Sequence, residues 1–521
     1  MEKPVISTIL RSSMLGKLCF PAALGWAALS AATVPAQGLP AQSPVPELSE
    51  KRIERLIELG DRLADQGDYL AALKKYTRAY QGVVSKIRGQ DFVQPVQPSL
   101  FNRRELGEEM IRLMEQEYTP EELRLMEASY KVWGLIPPGL DATALMTAML
   151  TEEVAGFYDP DNKRMVLIVE EGSVAKPTWL GSLLGAKAAF DKDEQKTTLA
   201  HELTHALQDQ LYDLNAMEAG IEHDDDMLLA FSALVEGDAT LLMFMEAGEM
   251  KDIQEMNPET MRATFSIMSW MMPLAGGKTF RSAPPIFRDS LTFPYFQGML
   301  FTLAVASQGN WQQVHKTYLD PPVSTEQILH PDKYLGDRDW PQEVQLPDLG
   351  DVLKPAGWRY LGGNCMGELQ TAILFKRVFG GQAAAAGWDG DRYHVFESDG
   401  GHLGLVYASV WDSPADADEF ARVYQAYRGA VSAPPTPDTP TPDTPTPDTP
   451  TPDTPTPDTP TPDTPTPDTP AVLASSAQRL VQVEGDKVWI VEGFDSLLTK
   501  SLVDRLSQCV YAEKRFPLPK R

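Results

Sequence analysis

The run Thr198-Leu199-Ala200-His201-Glu202-Leu203-Thr204-His205-Ala206-Leu207 decides how the chain is read. It contains the pattern His-Glu-x-x-His. Residues four apart project from one face of an α-helix, so His201 and His205 present two imidazoles side by side. Two imidazoles at that spacing can share one zinc ion, with Glu202 beside them as a base toward water. Glu202 is the only charge between Thr198 and Leu207. A solvent-facing helix with incidental histidines would carry more charge, so this composition points to a helix that crosses a core.

Catalytic zinc takes three protein ligands and keeps one position open. The candidates for the third are Glu236, His223 and the run Asp224-Asp225-Asp226. Met227–Met245 is almost wholly apolar, and Glu236 and Asp238 are its only charges. A carboxylate inside such a helix is costly unless it is paired or ligated, and a zinc ion removes that cost directly. Glu236 is therefore the expected third ligand. Asp238 is expected to hold a ligand histidine from behind, with a cap or a salt bridge as the open alternatives. His223 and its acidic neighbours read as a solvated loop.

His-Glu-Leu-Thr-His followed by Ala233-Leu234-Val235-Glu236-Gly237-Asp238-Ala239-Thr240 resembles the gluzincin type of zinc metallopeptidase over roughly residues 100–340. The resemblance implies one zinc held by His201, His205 and Glu236, with Glu202 as general base, and hydrolysis of peptide or protein substrates. It also implies an edge strand before the metal helix that pairs with extended peptide, a role that suits a hairpin at 154–169. Glu236 lies in Glu-Gly-Asp-Ala rather than Asn-Glu-x-x-Ser-Asp, a departure from the thermolysin-like branch. A donor to the oxyanion is needed besides zinc. Tyr295 and His330 are the candidates, with a core aromatic and a turn histidine as the plainer readings, and Tyr158 a third.

The expected fold class is α+β, predominantly helical. A zincin-like core at 100–345 would follow an N-terminal helical hairpin at 49–90 and precede a small α+β domain built from 357–430 plus 471–515. In the hairpin, Leu56, Leu59, Gly60, Leu63, Gly67, Tyr69, Ala72, Tyr76 and Ala79 fall at the spacing of a tetratricopeptide repeat. Residues 53–86 resemble one such repeat, with Leu56 where Trp is usual and Val84 where Pro is usual; a plain helical hairpin reads equally well. One copy cannot bury its own face and must dock on a neighbour. Helices are expected at 102–117 and 119–133, the second capped by Thr119-Pro120-Glu121-Glu122. Strands at 154–158 and 164–169 are joined by Asp159-Pro160-Asp161-Asn162-Lys163, a turn signal. The C-terminal part reads as helix 365–379, strands 392–397 and 403–410, helix 414–427, strands 480–484 and 487–491, and a last helix 495–511.

Lys3, Arg11 and Lys17 precede the apolar stretch Leu18–Val34, which ends at Val34-Pro35-Ala36. That order reads as a signal peptide over 1–36, then a linker at 37–48, and places the mature chain outside the cytoplasm, in periplasm or medium. No other segment approaches twenty uninterrupted apolar residues, so no transmembrane segment is expected after cleavage. The chain has 521 residues, enough for about three domains. Its 73 acids against 46 bases give a formal charge of −27, which argues against nucleic acid as a partner. Cleavage also removes Cys19 and leaves Cys365 and Cys509, a candidate disulfide across the C-terminal domain or two buried free thiols. A catalytically inactive exported protein of the same fold, acting as a binding or scaffold module, is the competing function class.

Residues 436–470 are seven tandem Thr-Pro-Asp-Thr-Pro pentamers. Two prolines in five residues forbid helix and sheet and favour an extended, solvated chain. Deleting 436–470 should leave the melting temperature and any hydrolytic activity unchanged. A large fall in melting temperature would show that the tract packs.

Overall fold

The computed structural model describes residues 47–153, 156–160, 162–168, 192–221, 224–248, 252–253, 256, 260–262, 277–432 and 478–519. The expected signal peptide, most of the linker, the pentamer tract and His223 lie outside the described residues. The architecture is α+β and predominantly helical.

The N-terminal hairpin forms as its small residues require. Helices Glu50–Asp65 and Tyr69–Arg88 turn at Gly67, whose φ of +80° favours glycine, and Asp68 caps the second helix by accepting from the Ala71 N–H at 3.1 Å. Gly60 lies under the Tyr76 ring, where a Cβ would collide with it. The Tyr76 hydroxyl donates to Asp61 at 2.7 Å. The apolar face left over docks on the helix Lys192–Tyr212.

Helix Pro120–Trp133 carries the expected capping box between Thr119 and Glu122. The expected hairpin is present as β2 (Gly156–Asp159) antiparallel to β3 (Arg164–Ile168), with Tyr158 opposite Met165. A strand not read from the sequence, β1 (Gln97–Phe101), joins β3 in parallel, giving the order β1-β3-β2. Pro98 argues against a strand, but at the edge of a sheet a residue without an N–H is tolerated.

Three helices make the centre: Lys192–Tyr212, Asp225–Ala247 and Pro285–Ser307. Asp225–Ala247 is long and apolar enough to cross a membrane, yet 94% of that apolar window is buried inside the chain. It crosses Pro285–Ser307 where Gly237 faces Gly298. A Cβ on Gly298 would run into the Ala233 carbonyl, and one on Gly237 into the Gly298 backbone. This close crossing fixes the depth at which Glu236 sits.

The C-terminal part is a five-stranded antiparallel sheet: β5 (Trp358–Asn364), β6 (Trp388–Ser398), β7 (Leu403–Trp411), β8 (Arg479–Glu484) and β9 (Lys487–Glu492), in the order β5-β6-β7-β9-β8. Leu405 and Tyr407 of β7 face the main core, while Val406, Ala408 and Val410 face a second core under helix Ser496–Leu506. Trp133 meets Tyr393, Tyr407 and Tyr424 edge-on at 5.2–6.0 Å, joining the sheet to helix Pro120–Trp133. Two expectations need correction. The helix expected at 365–379 spans only Gly367–Leu374, and the last helix ends at Leu506 rather than 511. Val510–Glu513 form β10 instead, paired antiparallel with β4 (Gln342–Gln345), whose ladder bonds replace helical ones.

Cys365 and Cys509 are free thiols, not the disulfide entertained above. The Cys365 thiol is buried and donates to the Asp391 carbonyl at 2.8 Å, whereas Cys509 packs against the separate core under helix Ser496–Leu506. Each sulfur is committed to a different layer of the fold.

Gly298→Ala should destabilise the chain by about 1–3 kcal/mol or more, because the added methyl meets backbone that cannot move aside. Urea denaturation of the full chain checks this. A neutral result would show that the two helices are not held at this crossing.

Candidate metal centre

Leu199, Ala200, Leu203, Ala206 and Leu207 bury the helix Lys192–Tyr212 and thereby carry His201 and His205 inside. The partner helix starts at Asp224, whose side chain accepts from the Met227 N–H at 2.9 Å. It holds Glu236 at its midpoint, with no exposed surface. His201 Nε2 lies 3.1 Å and His205 Nε2 3.3 Å from Glu236 Oε2, and the two Nε2 atoms are 3.0 Å apart. The structure thus brings together the two histidines and the glutamate that the sequence singles out.

Gln208 decides what that convergence means. Its Nε2 donates to the Val235 carbonyl at 3.0 Å and to Asp238 Oδ2 at 2.9 Å. Its Oε1 therefore faces His205 Nδ1 at 2.9 Å and must accept, so the proton of neutral His205 sits on Nδ1. His205 Nε2 is left with a lone pair aimed at a carboxylate oxygen and a second imidazole nitrogen. Such a cluster needs a positive charge at its middle. Ligand atoms ~2.1 Å from one zinc at near-tetrahedral angles lie about 3.4 Å apart, close to the separations observed. Glu236 Oε1 is buried and has no hydrogen-bond partner among the described residues, leaving it open to an ion. The three side chains fit zinc.

Charge shifts tell the same story. Burial works against a charged Glu236, yet His205 and His201 beside it hold its carboxyl below the usual range. Burial works against a charged His205, but Glu236 outweighs it and pushes the imidazole up to about 9, so a proton fills the place where no metal ion is bound. Burial raises Glu202, tempered by the neighbouring His201 and His205.

The backbone of Tyr158 lies beside Glu202 and favours its charged form, which places β2 next to the motif helix. Its Oε2 is buried without a partner among the described residues. The Tyr158 hydroxyl is engaged elsewhere: it donates to Asp209 Oδ2 at 2.9 Å, where the Lys163 ammonium also binds at 2.7 Å. Tyr295 is buried on helix Pro285–Ser307 with its ring stacked on His201, centroids 6.1 Å apart and planes 21° from parallel. His330 is not gathered at the centre. It sits at a helix break before Pro331, 41% exposed, and bonds Glu368 at 2.9 Å.

Asp238 reaches His205 through Gln208 rather than directly. Its other partners are Arg88 and the Tyr318 hydroxyl, which donates to Oδ2 at 2.8 Å. The solvated-loop reading of the acidic run is corrected as well. Asp225 and Asp226 are buried: Asp225 bonds Asn364, while Asp226 accepts from Thr325 and Lys514. A helix this apolar begins inside the protein, so its first-turn acids must find partners there. Gln208 carried a usable signal, since it lies three residues beyond His205 on the same face. Arg88 and Tyr318 carried none, because nothing local marks a residue that acts on a helix far along the chain.

A family model described as a domain of unknown function (DUF8575) matches residues 359–453, a span within the C-terminal part that includes none of the metal-centre residues. No curated protein and no solved structure matches the chain.

Gln208→Ala should lower zinc affinity about 10–100-fold while the chain stays folded, because His205 loses the acceptor that fixes its proton on Nδ1. Competition against a chromophoric chelator measures this. Unchanged affinity would mean that His205 needs no such support.

Proposed function

We propose that the chain is an exported zinc-dependent metallopeptidase with a zincin-like core of the gluzincin type. The observation that carries the reading is the convergence of His201 Nε2, His205 Nε2 and Glu236 Oε2 within 3.3 Å of one another, in a buried site beside an unpartnered Glu202 oxygen. A zinc ion bound there supplies Lewis acidity, acidifying water and polarising the scissile carbonyl. Glu202 takes a proton from the attacking water and returns it to the amine nitrogen as the C–N bond breaks. Its raised pKa suits a group that both accepts and delivers a proton. Tyr295, stacked on His201, is the proposed donor to the oxyanion.

Among the described residues β2 lies at the edge of its sheet, with Tyr158 beside Glu202. An extended peptide laid along that edge would bring a backbone carbonyl to the base, which favours peptide or protein substrates. An inactive scaffold of the same fold would have no need of a buried base with an open oxygen, so catalysis is the better reading.

Glu202→Gln keeps size and removes the proton acceptor. Zinc should stay near one per chain while peptide cleavage falls ~100-fold or more. Glu236→Ala should lose zinc and activity together, and His223→Ala should change neither. Full activity in Glu202→Gln would overturn the hydrolase reading; retained zinc in Glu236→Ala with zinc lost in His223→Ala would move the third ligand.

A further inference from the structure

The N-terminal hairpin is fastened to both ligand-bearing helices. Tyr80 donates to Glu246 at 2.9 Å, near the end of the Glu236 helix. Just past the hairpin, the N–H groups of Val93 and Gln94 donate to Gln210 Oε1 at 2.8 and 3.0 Å, on the helix of His201 and His205. Between these ties stands Arg88, the last residue of helix Tyr69–Arg88. Its guanidinium is buried, ion-paired with Asp238 and stacked 4.6 Å over the Trp311 ring. Tyr212, the last residue of the metal-motif helix, lies close enough to favour the charged form of Arg88.

A helix end usually frays in water, so a terminal arginine sunk in the core is held for a reason. The geometry points to Arg88 as a positioning residue of the metal centre. Its Nη1 holds Asp238 Oδ1, which turns Oδ2 toward Gln208 Nε2. That bond keeps the amide from flipping, so Oε1 stays on His205 Nδ1 and the Nε2 lone pair stays aimed at the ion. A flipped amide would present Nε2–H to Nδ1 and move the imidazole proton to Nε2, into the place an ion would occupy. Tyr318 supports the same carboxylate oxygen and Val235 the same amide, so Arg88 is one member of a braced chain: Arg88, Asp238, Gln208, His205. The hairpin is then a working part of the centre rather than an appended binding module. The inference rests on the zinc reading above.

The test is cobalt and zinc affinity of the full mature chain, with the cobalt absorption spectrum, for wild type, Arg88→Ala, Arg88→Lys, Gln208→Ala and the Arg88/Gln208 double variants. Arg88→Ala should weaken the ion about 10-fold or more and alter the cobalt spectrum. Arg88→Lys keeps the charge without the planar fork and should lose less. In the Gln208→Ala background both changes at Arg88 should cost almost nothing, because the link they act through is gone. Equal losses in both backgrounds would mean a general structural role and overturn the proposal, as would an unchanged affinity in folded Arg88→Ala. Should Arg88→Ala fail to fold, the Arg88→Lys pair decides by the same comparison. A wild-type chain that takes up no ion overturns the zinc reading and this proposal together, whereas normal uptake by wild type with no coupling to Gln208 overturns this proposal alone.

Discussion

A carboxylate buried at the midpoint of an apolar helix is the constraint on which the rest depends. Glu236 has no exposed surface, and its helix is packed on both sides by other helices. Uncompensated, such a charge would cost more than a typical protein's whole stability margin allows. The compensation comes from two imidazoles whose Nε2 atoms lie against one oxygen of the carboxylate. Because Gln208 holds the proton of neutral His205 on Nδ1, the imidazole offers a lone pair toward the carboxylate, a place that a metal ion or a proton can fill.

The surrounding elements keep that arrangement rigid. The Gly237–Gly298 crossing lets helices Asp225–Ala247 and Pro285–Ser307 meet at backbone distance and brings Tyr295 onto His201. β2 runs beside Glu202 and anchors its own Tyr158 on Asp209 of the same helix. The acids at the start of the Glu236 helix are tied to Asn364, Thr325 and Lys514, so the C-terminal part steadies the helix from its other end. The centre is therefore braced from three directions in the chain, one by close helix packing and two by buried polar contacts.

Much of this was legible in the sequence wherever the signal is local. The His-Glu-x-x-His spacing, the solitary carboxylates of Met227–Met245, the capping box at Thr119 and the turn between β2 and β3 all follow from periodicity and side-chain chemistry within a few residues. What stayed hidden depends on contacts distant in sequence. β1 carries a proline and becomes a strand only because β3 offers it an edge. Asp225 and Asp226 look solvated until Asn364, Thr325 and Lys514 arrive from far along the chain. His330 reads as either an oxyanion donor or a turn histidine, and the helix break before Pro331 leaves it at a turn against Glu368. Arg88 lies at the end of an amphipathic helix like many others, and only the fold reveals it beside Asp238.

The proposed chemistry requires one ion shared by His201, His205 and Glu236. Anomalous scattering at the zinc edge, from crystals of the purified protein, locates such an ion directly. One peak per chain is expected, about 2.1 Å from His201 Nε2, His205 Nε2 and a carboxylate oxygen of Glu236. A metal-replete chain with no peak there, or with its zinc held elsewhere, would contradict that chemistry.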